Sequence, residues 1–476
     1  MEFDLNKPFN YWFNEISKIP RPSFHEEKIS DFIVEFAKKR GLKYKQDEVF
    51  NVIVEKEASP GYEDRAPLLL QAHTDMVPAV APGAVHDFLR DPLKLYVDEE
   101  GWLHAEGTTL GADDGYGVAY MLSILDDDSL AHPYLQCYFT SMEEVGLLGA
   151  ARLKAEDIKA DRMINLDGGG EIYTAISAAG GYEVFAEKEL KYVDNALPAY
   201  RLLVRGLSGG HSGNLIHLEK GNAIIILGRV LKEMQKNGID VQLAEIRGGE
   251  KDNAIPREAE AVFASLSSYD KIQAQTEKSF SGIYSELEFS DNGVQIALEE
   301  AEAEKVIVRE ISDSLISYLY LMPWGMQHRS MVIEGLTTTS LNPGVIGVKD
   351  NAFFLDVLIR SSLPSAAKDL SDRLAALAEC LHLNYRIDNG FAAWNYEKES
   401  AMRELLRTVL KKHDIDLKEV AAHGGLECGV FKGLNPKLDI ITYGPVSDGY
   451  HTPQEKLDLA SFERAYYILL ELLKES

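Results

Sequence analysis

Pro67-Leu68-Leu69-Leu70-Gln71-Ala72-His73-Thr74-Asp75 is an apolar run that ends abruptly in an imidazole and a carboxylate. Residues 67–72 read as a buried strand, with His73 at its C-terminal end. The arrangement repeats downstream: residues 135–140 run into Glu143-Glu144, and residues 163–166 run into Asp167 and three glycines. Residues 116–125, between them, have helical character. Strands alternating with helices predict an α/β sheet, and in such sheets ligands gather beyond the carboxyl ends of the strands. A later apolar run, 440–443, delivers Asp448, Gly449 and His451. The chain thus returns to its first sheet after a long excursion.

The composition bounds the reading. A chain of 476 residues is long enough for more than one core. Its net charge of −27 argues against nucleic acid and against an anionic membrane as partners. The three cysteines, Cys137, Cys380 and Cys428, are far apart and form no CxxC. That spacing argues against a disulfide framework and for a reducing compartment. No basic-then-apolar leader and no apolar run of membrane-spanning length is present, so a cytoplasmic protein is expected.

Further signals mark elements outside that sheet. Ser23-Phe24-His25-Glu26 has the form of a capping box, which makes His25 structural and predicts a helix through Phe36 closed by Gly41. Strands are expected near 43–44 and 52–55, and helices over 396–412 and 457–473. From about residue 187 the texture changes. Lys251-Asp252-Asn253-Ala254 recurs as Lys349-Asp350-Asn351-Ala352, and each copy precedes a strand-like run, 260–266 and 353–359. These echoes predict a duplicated α+β unit. The expected organisation is a catalytic α/β domain, 1–186 and 391–476, interrupted by an insertion at 187–390.

The polar residues at the strand ends carry chemistry together. Residues two apart on an extended strand point to one side, so Asp75 can sit behind His73 and fix its tautomer. Asp113-Asp114 is a costly pair of adjacent acids unless a cation neutralises it, although Asp114 also suits a helix N-cap. Of Glu143 and Glu144, one can bind metal and the other can take a proton. Asp167 lies at the mouth of a buried strand, where an unpaired charge is expensive. With His451, these residues form a donor set for two adjacent Zn²⁺-type ions and point to a two-metal hydrolase. No cysteine has a catalytic setting that offers a competing nucleophile.

The runs Gln71-Ala72-His73-Thr74-Asp75-Met76-Val77, Gly111-Ala112-Asp113-Asp114-Gly115 and Ser141-Met142-Glu143-Glu144-Val145-Gly146, with Leu166-Asp167 and His451, resemble the two-zinc peptidases related to carboxypeptidase G and the acylase and acetylornithine deacetylase enzymes. Ile19-Pro20-Arg21-Pro22-Ser23, Gly206-Leu207-Ser208-Gly209-Gly210-His211-Ser212-Gly213 and His423-Gly424-Gly425-Leu426-Glu427-Cys428-Gly429 resemble the Xaa-His (β-alanyl-histidine) dipeptidase branch. The resemblance implies a mixed sheet flanked by helices and an inserted lid. It implies two Zn²⁺ ions, with Co²⁺ or Mn²⁺ as substitutes, on His73, Asp113, Glu144, Asp167 and His451, Asp113 bridging. It implies Glu143 as general base towards a metal-bridged water, and Asp75 as the residue orienting His73. In the lid it implies His211 as oxyanion donor, a role that a protonated imidazole serves, and Asn253 and Arg360 as substrate-binding residues. An arginine suits a dipeptide's free α-carboxylate. The expected activity is hydrolysis of unblocked dipeptides, by a monomer or homodimer whose site is complete within one chain. An aminotripeptidase or N-acyl-amino-acid deacylase shares the metal set, and a non-catalytic binding protein on the same fold is a third reading.

Overall fold

The computed structural model describes residues 3–476, which divide into two compact units. The first comprises residues 3–178, 394–421 and 425–476, and the second comprises 179–393 with 422–424.

The first unit is built on a six-stranded sheet in the order Lys43–Gln46, Val52–Lys56, Leu135–Thr140, Leu68–His73, Arg162–Asn165, Asp439–Thr442. Its first two pairings are antiparallel, and the other three are parallel. The four parallel strands therefore end on one edge. His73 stands opposite Thr140, and Asn165 stands opposite both Gln71 and Thr442. Side chains alternate between two apolar layers, as the period of a strand requires. Leu68, Leu70 and Ala72 face one core with Val52, Cys137 and Phe139, while Leu69, Ile53, Tyr138 and Met163 face another. Burial on both faces explains why these strands read as continuous apolar runs.

Helices Pro8–Ser17, Glu27–Arg40, Ala401–Lys412 and Leu459–Glu475 contribute to the larger core. The last two start later than the apolar pattern suggests, because polar caps define them: Ser400 accepts from the Arg403 N–H, and Asp458 accepts from Ala460 and Ser461. The expected capping box is not formed. Ser23 donates instead to Asp75 (2.8 Å), and the buried Glu26 carboxylate accepts from the Phe24 and Met142 N–H groups. Gly41 does close its helix in a left-handed conformation, φ 66°.

The second unit explains the internal echo. Strands Ala199–Arg205, Gln242–Gly248, Ala259–Ala264 and Gln295–Ala301, with helices Ala223–Lys236 and Tyr269–Leu287, form a βαββαβ half. Strands Gly180–Glu189, Thr337–Lys349, Ala352–Ser361 and Asn384–Phe391, with helices Arg309–Leu321 and Pro364–Cys380, repeat that chain order. In both halves the fourth strand pairs the first, the first pairs the third, and the third pairs the second. One half is thus inserted between the first strand and first helix of the other. The halves join where Gly248 pairs with Ile346. Each copy of the repeated tetrapeptide sits between the second and third strands of its half. In one copy Asp350 and Asn351 both take positive φ, the requirement of a tight two-residue hairpin. In the other the loop is longer, and Ala254 pairs with His211.

No helix among the described residues is long and apolar enough to cross a membrane. The three cysteines are free, Cys137 and Cys428 buried and Cys380 exposed.

The segment Ala112–Asp126 lies against the central strand, and Gly117 permits its close approach. A Cβ there would stand 2.5 Å from Asp114 Oδ1 and 2.9 Å from the Cβ atoms of Ala72 and Leu166. Gly117→Ala is expected to cost about 1–3 kcal/mol through overpacking, measured as a fall in the urea midpoint.

Candidate metal centre

The edge where the parallel strands end gathers imidazoles and carboxylates. His73, Asp113 and Asp167 form one group whose ligand atoms lie within 4.8 Å of one another; Asp113, Glu144 and His451 form a second; His73, Glu143 and Glu144 form a third. Asp113 belongs to the first two groups. His73 Nε2 lies 2.9 Å from Asp113 Oδ1, while His451 Nε2 lies 3.5 Å from Asp113 Oδ2 and 2.8 Å from Glu144 Oε2. His73 is fully buried, whereas the His451 side chain is half exposed.

A supporting layer holds these groups. Asp75 Oδ1 lies 3.4 Å from His73 Nδ1. This is an ion-pair approach rather than an aligned hydrogen bond, since Nδ1 has no hydrogen-bond partner among the described residues. Asp75 also accepts from the backbone N–H of Glu143 (3.0 Å) and Glu144 (3.3 Å) and from Ser23 Oγ. One carboxylate thereby ties the His73 strand end to the Glu143-Glu144 turn. Asp114 accepts from the His73 N–H and from the Gly117 N–H, both at 3.2 Å, so it caps the helix and braces the strand together. Asp113 and Asp114, joined by a cis peptide bond, have non-helical φ/ψ, and regular helix follows them.

Three further supports had no role assigned from the sequence, which left open whether Glu427 faces the site or packs near Cys428. Glu455 is buried and accepts from the N–H groups of Leu110, Gly111 and Asp113. Arg21 is buried and donates to the carbonyls of Thr74, Asp75 and Gly111. Glu427 is buried beneath the sheet edge, where its Oε2 accepts from Gln71 Nε2 (2.5 Å) and Thr140 Oγ1 (2.7 Å). Arg21 and Glu427 lay within motifs that drew attention, but only the fold shows what they touch. Glu455 gave no signal.

The charges are not balanced by protein groups alone. Burial lifts the Asp167 carboxyl well above its ordinary range, and Asp113 and Asp114 add to the rise. Burial also lifts Glu143, and repulsion from Glu144 and Glu427 works against the relief from His73. For Asp113 burial acts upward, yet bonds from His451 and His73 prevail and hold the carboxyl below its usual value. His451 is pushed up to about 10 by Asp113 and Glu144. Glu144 Oε1 is buried without a partner among the described residues. A set of hard oxygen and imidazole donors, one of them orphaned, fits divalent cations.

The remaining candidates lie in the second unit. His211 Nδ1 accepts the N–H groups of Gly213 and Asn214, each at 3.1 Å. The ring proton therefore sits on Nε2, and burial followed by Arg360 lowers the imidazole's pKa. A neutral Nε2–H donor replaces the protonated ring expected from sequence, because two backbone donors occupy Nδ1. The Asn253 carbonyl accepts from the Ser212 N–H (2.8 Å), and Asn253 and His211 line one cleft of about 990 Å³. Arg360 is buried, with its guanidinium 5.7 Å from the centre of the Phe391 ring and its Nε unpartnered among the described residues. Burial lowers its pKa to about 10, against the pull of Asp252.

An α/β sheet with this donor cluster at its parallel strand ends defines a metal-dependent hydrolase. The chain belongs to peptidase family M20/M25/M40, whose model matches residues 69–475, and it is a metallopeptidase. It is 35% identical over 474 residues to the cytosol non-specific dipeptidase of Escherichia coli (strain K12), covering 97% of this chain and 96% of that one. The solved aminoacylhistidine dipeptidase of Vibrio alginolyticus superposes with a TM-score of 0.88 at 32% identity, covering 98% of this chain and 96% of that one. A tripeptidase of Staphylococcus aureus shares the fold with a TM-score of 0.55 at 16% identity, covering 98% of each chain.

Removing divalent metal with a chelator is expected to lower the melting temperature by several degrees, and Zn²⁺ should restore it. Each site at a hundredfold excess over Kd contributes about 2.7 kcal/mol. Asp113→Ala should abolish the response in the same thermal scan.

Proposed function

We propose that this metallopeptidase hydrolyses unblocked dipeptides, Xaa-His and β-Ala-His among them, with two Zn²⁺ ions held by the strand-end cluster. The chain is a metal-dependent dipeptidase. Its family is a peptidase family, and the relatives it resembles along nearly their whole length carry dipeptidase names. The observation that carries the two-ion reading is the membership of Asp113 in two donor groups, one with His73 and Asp167, the other with Glu144 and His451.

When bound, the ions polarise the scissile carbonyl and ease the deprotonation of water. The protein's own groups do the rest. Glu143 takes the water's proton and returns it to the leaving amine, the work of a carboxylate general base. Asp75 holds His73 in orientation and, through the Glu143 N–H, sets the backbone that carries the base. In the inserted unit, His211 donates its Nε2–H to the oxyanion, and Arg360, with Asn253, holds the substrate's α-carboxylate. A reducing cytoplasm suits the free cysteines, and the E. coli relative is named for the cytosol.

A panel of β-Ala-His, Ala-His, Leu-Leu, Cys-Gly, N-acetyl amino acids and Ala-Ala-Ala tests this. Metal-dependent cleavage is expected for the free dipeptides alone; preference for the acylated or tripeptide substrates would overturn the reading. Glu143→Gln should lower kcat by a factor of about 10²–10⁴ while the protein retains its metal, measured by elemental analysis.

A further inference from the structure

His423 opens a motif of which the metal centre uses only Glu427. It lies in the second unit and is buried, 6% exposed. Its Nε2 is 2.7 Å from Ser340 Oγ, while its Nδ1 is buried with no partner among the described residues. Ser340 and Arg360 are directly opposed on antiparallel strands, so their side chains share one sheet face about 5 Å apart at Cβ. An imidazole seated on Ser340 thus stands beside the Arg360 guanidinium. The His211 loop closes the group, since a Cβ on Gly213 would meet both the His423 carbonyl (2.6 Å) and the His211 ring (3.0 Å).

Two neighbouring polar side chains, each nine-tenths buried, each retain an unpartnered nitrogen: Arg360 Nε and His423 Nδ1. Buried donors in native structures have partners, so such orphans call for an explanation. Burial and the nearby Arg360 hold the imidazole pKa down to about 3, so His423 is neutral and carries one ring proton. The Ser340 hydroxyl can donate to Nε2, which leaves that proton on Nδ1. A donor beside an arginine, both shielded from water, matches a carboxylate with two oxygens to be satisfied.

We infer that His423 is a substrate-binding residue that donates Nδ1–H to the substrate's α-carboxylate beside Arg360. The inference rests on the dipeptidase reading and deepens it. It adds His423 to Arg360 and Asn253 in the recognition of the free C-terminus. Ser340 is then a positioning residue that fixes the ring and its tautomer.

Asparagine and glutamine separate this role from a structural one. The Asn side-chain amide reaches the place of Nδ1 and leaves Ser340 unpaired; the Gln amide reaches Ser340 and leaves the carboxylate without its donor. The purified, metal-loaded full chain with Ala-His as substrate is the assay. His423→Gln should raise KM by about 10- to 100-fold, the scale of one hydrogen bond to a charged group, with kcat changed less than about threefold. His423→Asn should retain KM within about threefold of the parent. The reverse pattern, Gln tolerated and Asn impaired, would assign His423 to anchoring Ser340 and overturn the inference. So would two variants with parental KM, or two with equal losses and lowered melting temperatures. Failure of the dipeptidase reading is distinct, because the unsubstituted enzyme would then leave Ala-His uncleaved.

Discussion

Carboxylates crowded around Asp113 are the constraint to which much of the first unit is fitted. Asp113, Glu143, Glu144 and Asp167 bring their oxygens into overlapping groups with only two imidazoles, at the end of a sheet buried on both faces. Taking such charges out of water costs several kcal/mol per ion unless partners compensate. Protein groups compensate only in part, as the raised carboxyls of Asp167 and Glu143 indicate. The cluster is therefore built for cations. Its geometry is held by groups that are not themselves donors: Asp75 and Asp114 accept backbone N–H bonds from the segments that carry the donors, Glu455 accepts three, and Arg21 gathers three carbonyls.

The second unit meets a different requirement. Its buried donors Arg360 Nε and His423 Nδ1 lack partners among the described residues. The sheet of two βαββαβ halves supplies a rigid face for them. Arg360 lies on the third strand of one half, and His211 pairs with the loop that joins the second and third strands of the other. One hairpin is tight, at Asp350-Asn351, while its counterpart is the longer loop that carries Asn253.

Much of this was legible in the residues, for physical reasons. Leu68–His73 and Leu135–Thr140 are buried on both faces, so their apolar runs are continuous and their ends abrupt. The polar residues just beyond those ends stand out for the same reason. The repeated tetrapeptide pointed to the duplicated unit because each copy occupies the corresponding hairpin position. Long-range partners were not legible. Ser23 has the local signature of a helix cap, yet Asp75 captures its hydroxyl across the fold. His211 gave no sign of its tautomer, which depends on two N–H groups in the turn that follows it. Glu455 lies in a polar loop, and only the return of the chain to the Leu110–Asp113 backbone shows what it does.

Anomalous diffraction at the zinc edge, from crystals of the zinc-loaded protein, addresses the central claim most directly. The account predicts two peaks per chain flanking the Asp113 carboxylate, one beside His73 and Asp167 and the other beside Glu144 and His451. A single peak, or peaks away from Asp113, would contradict it.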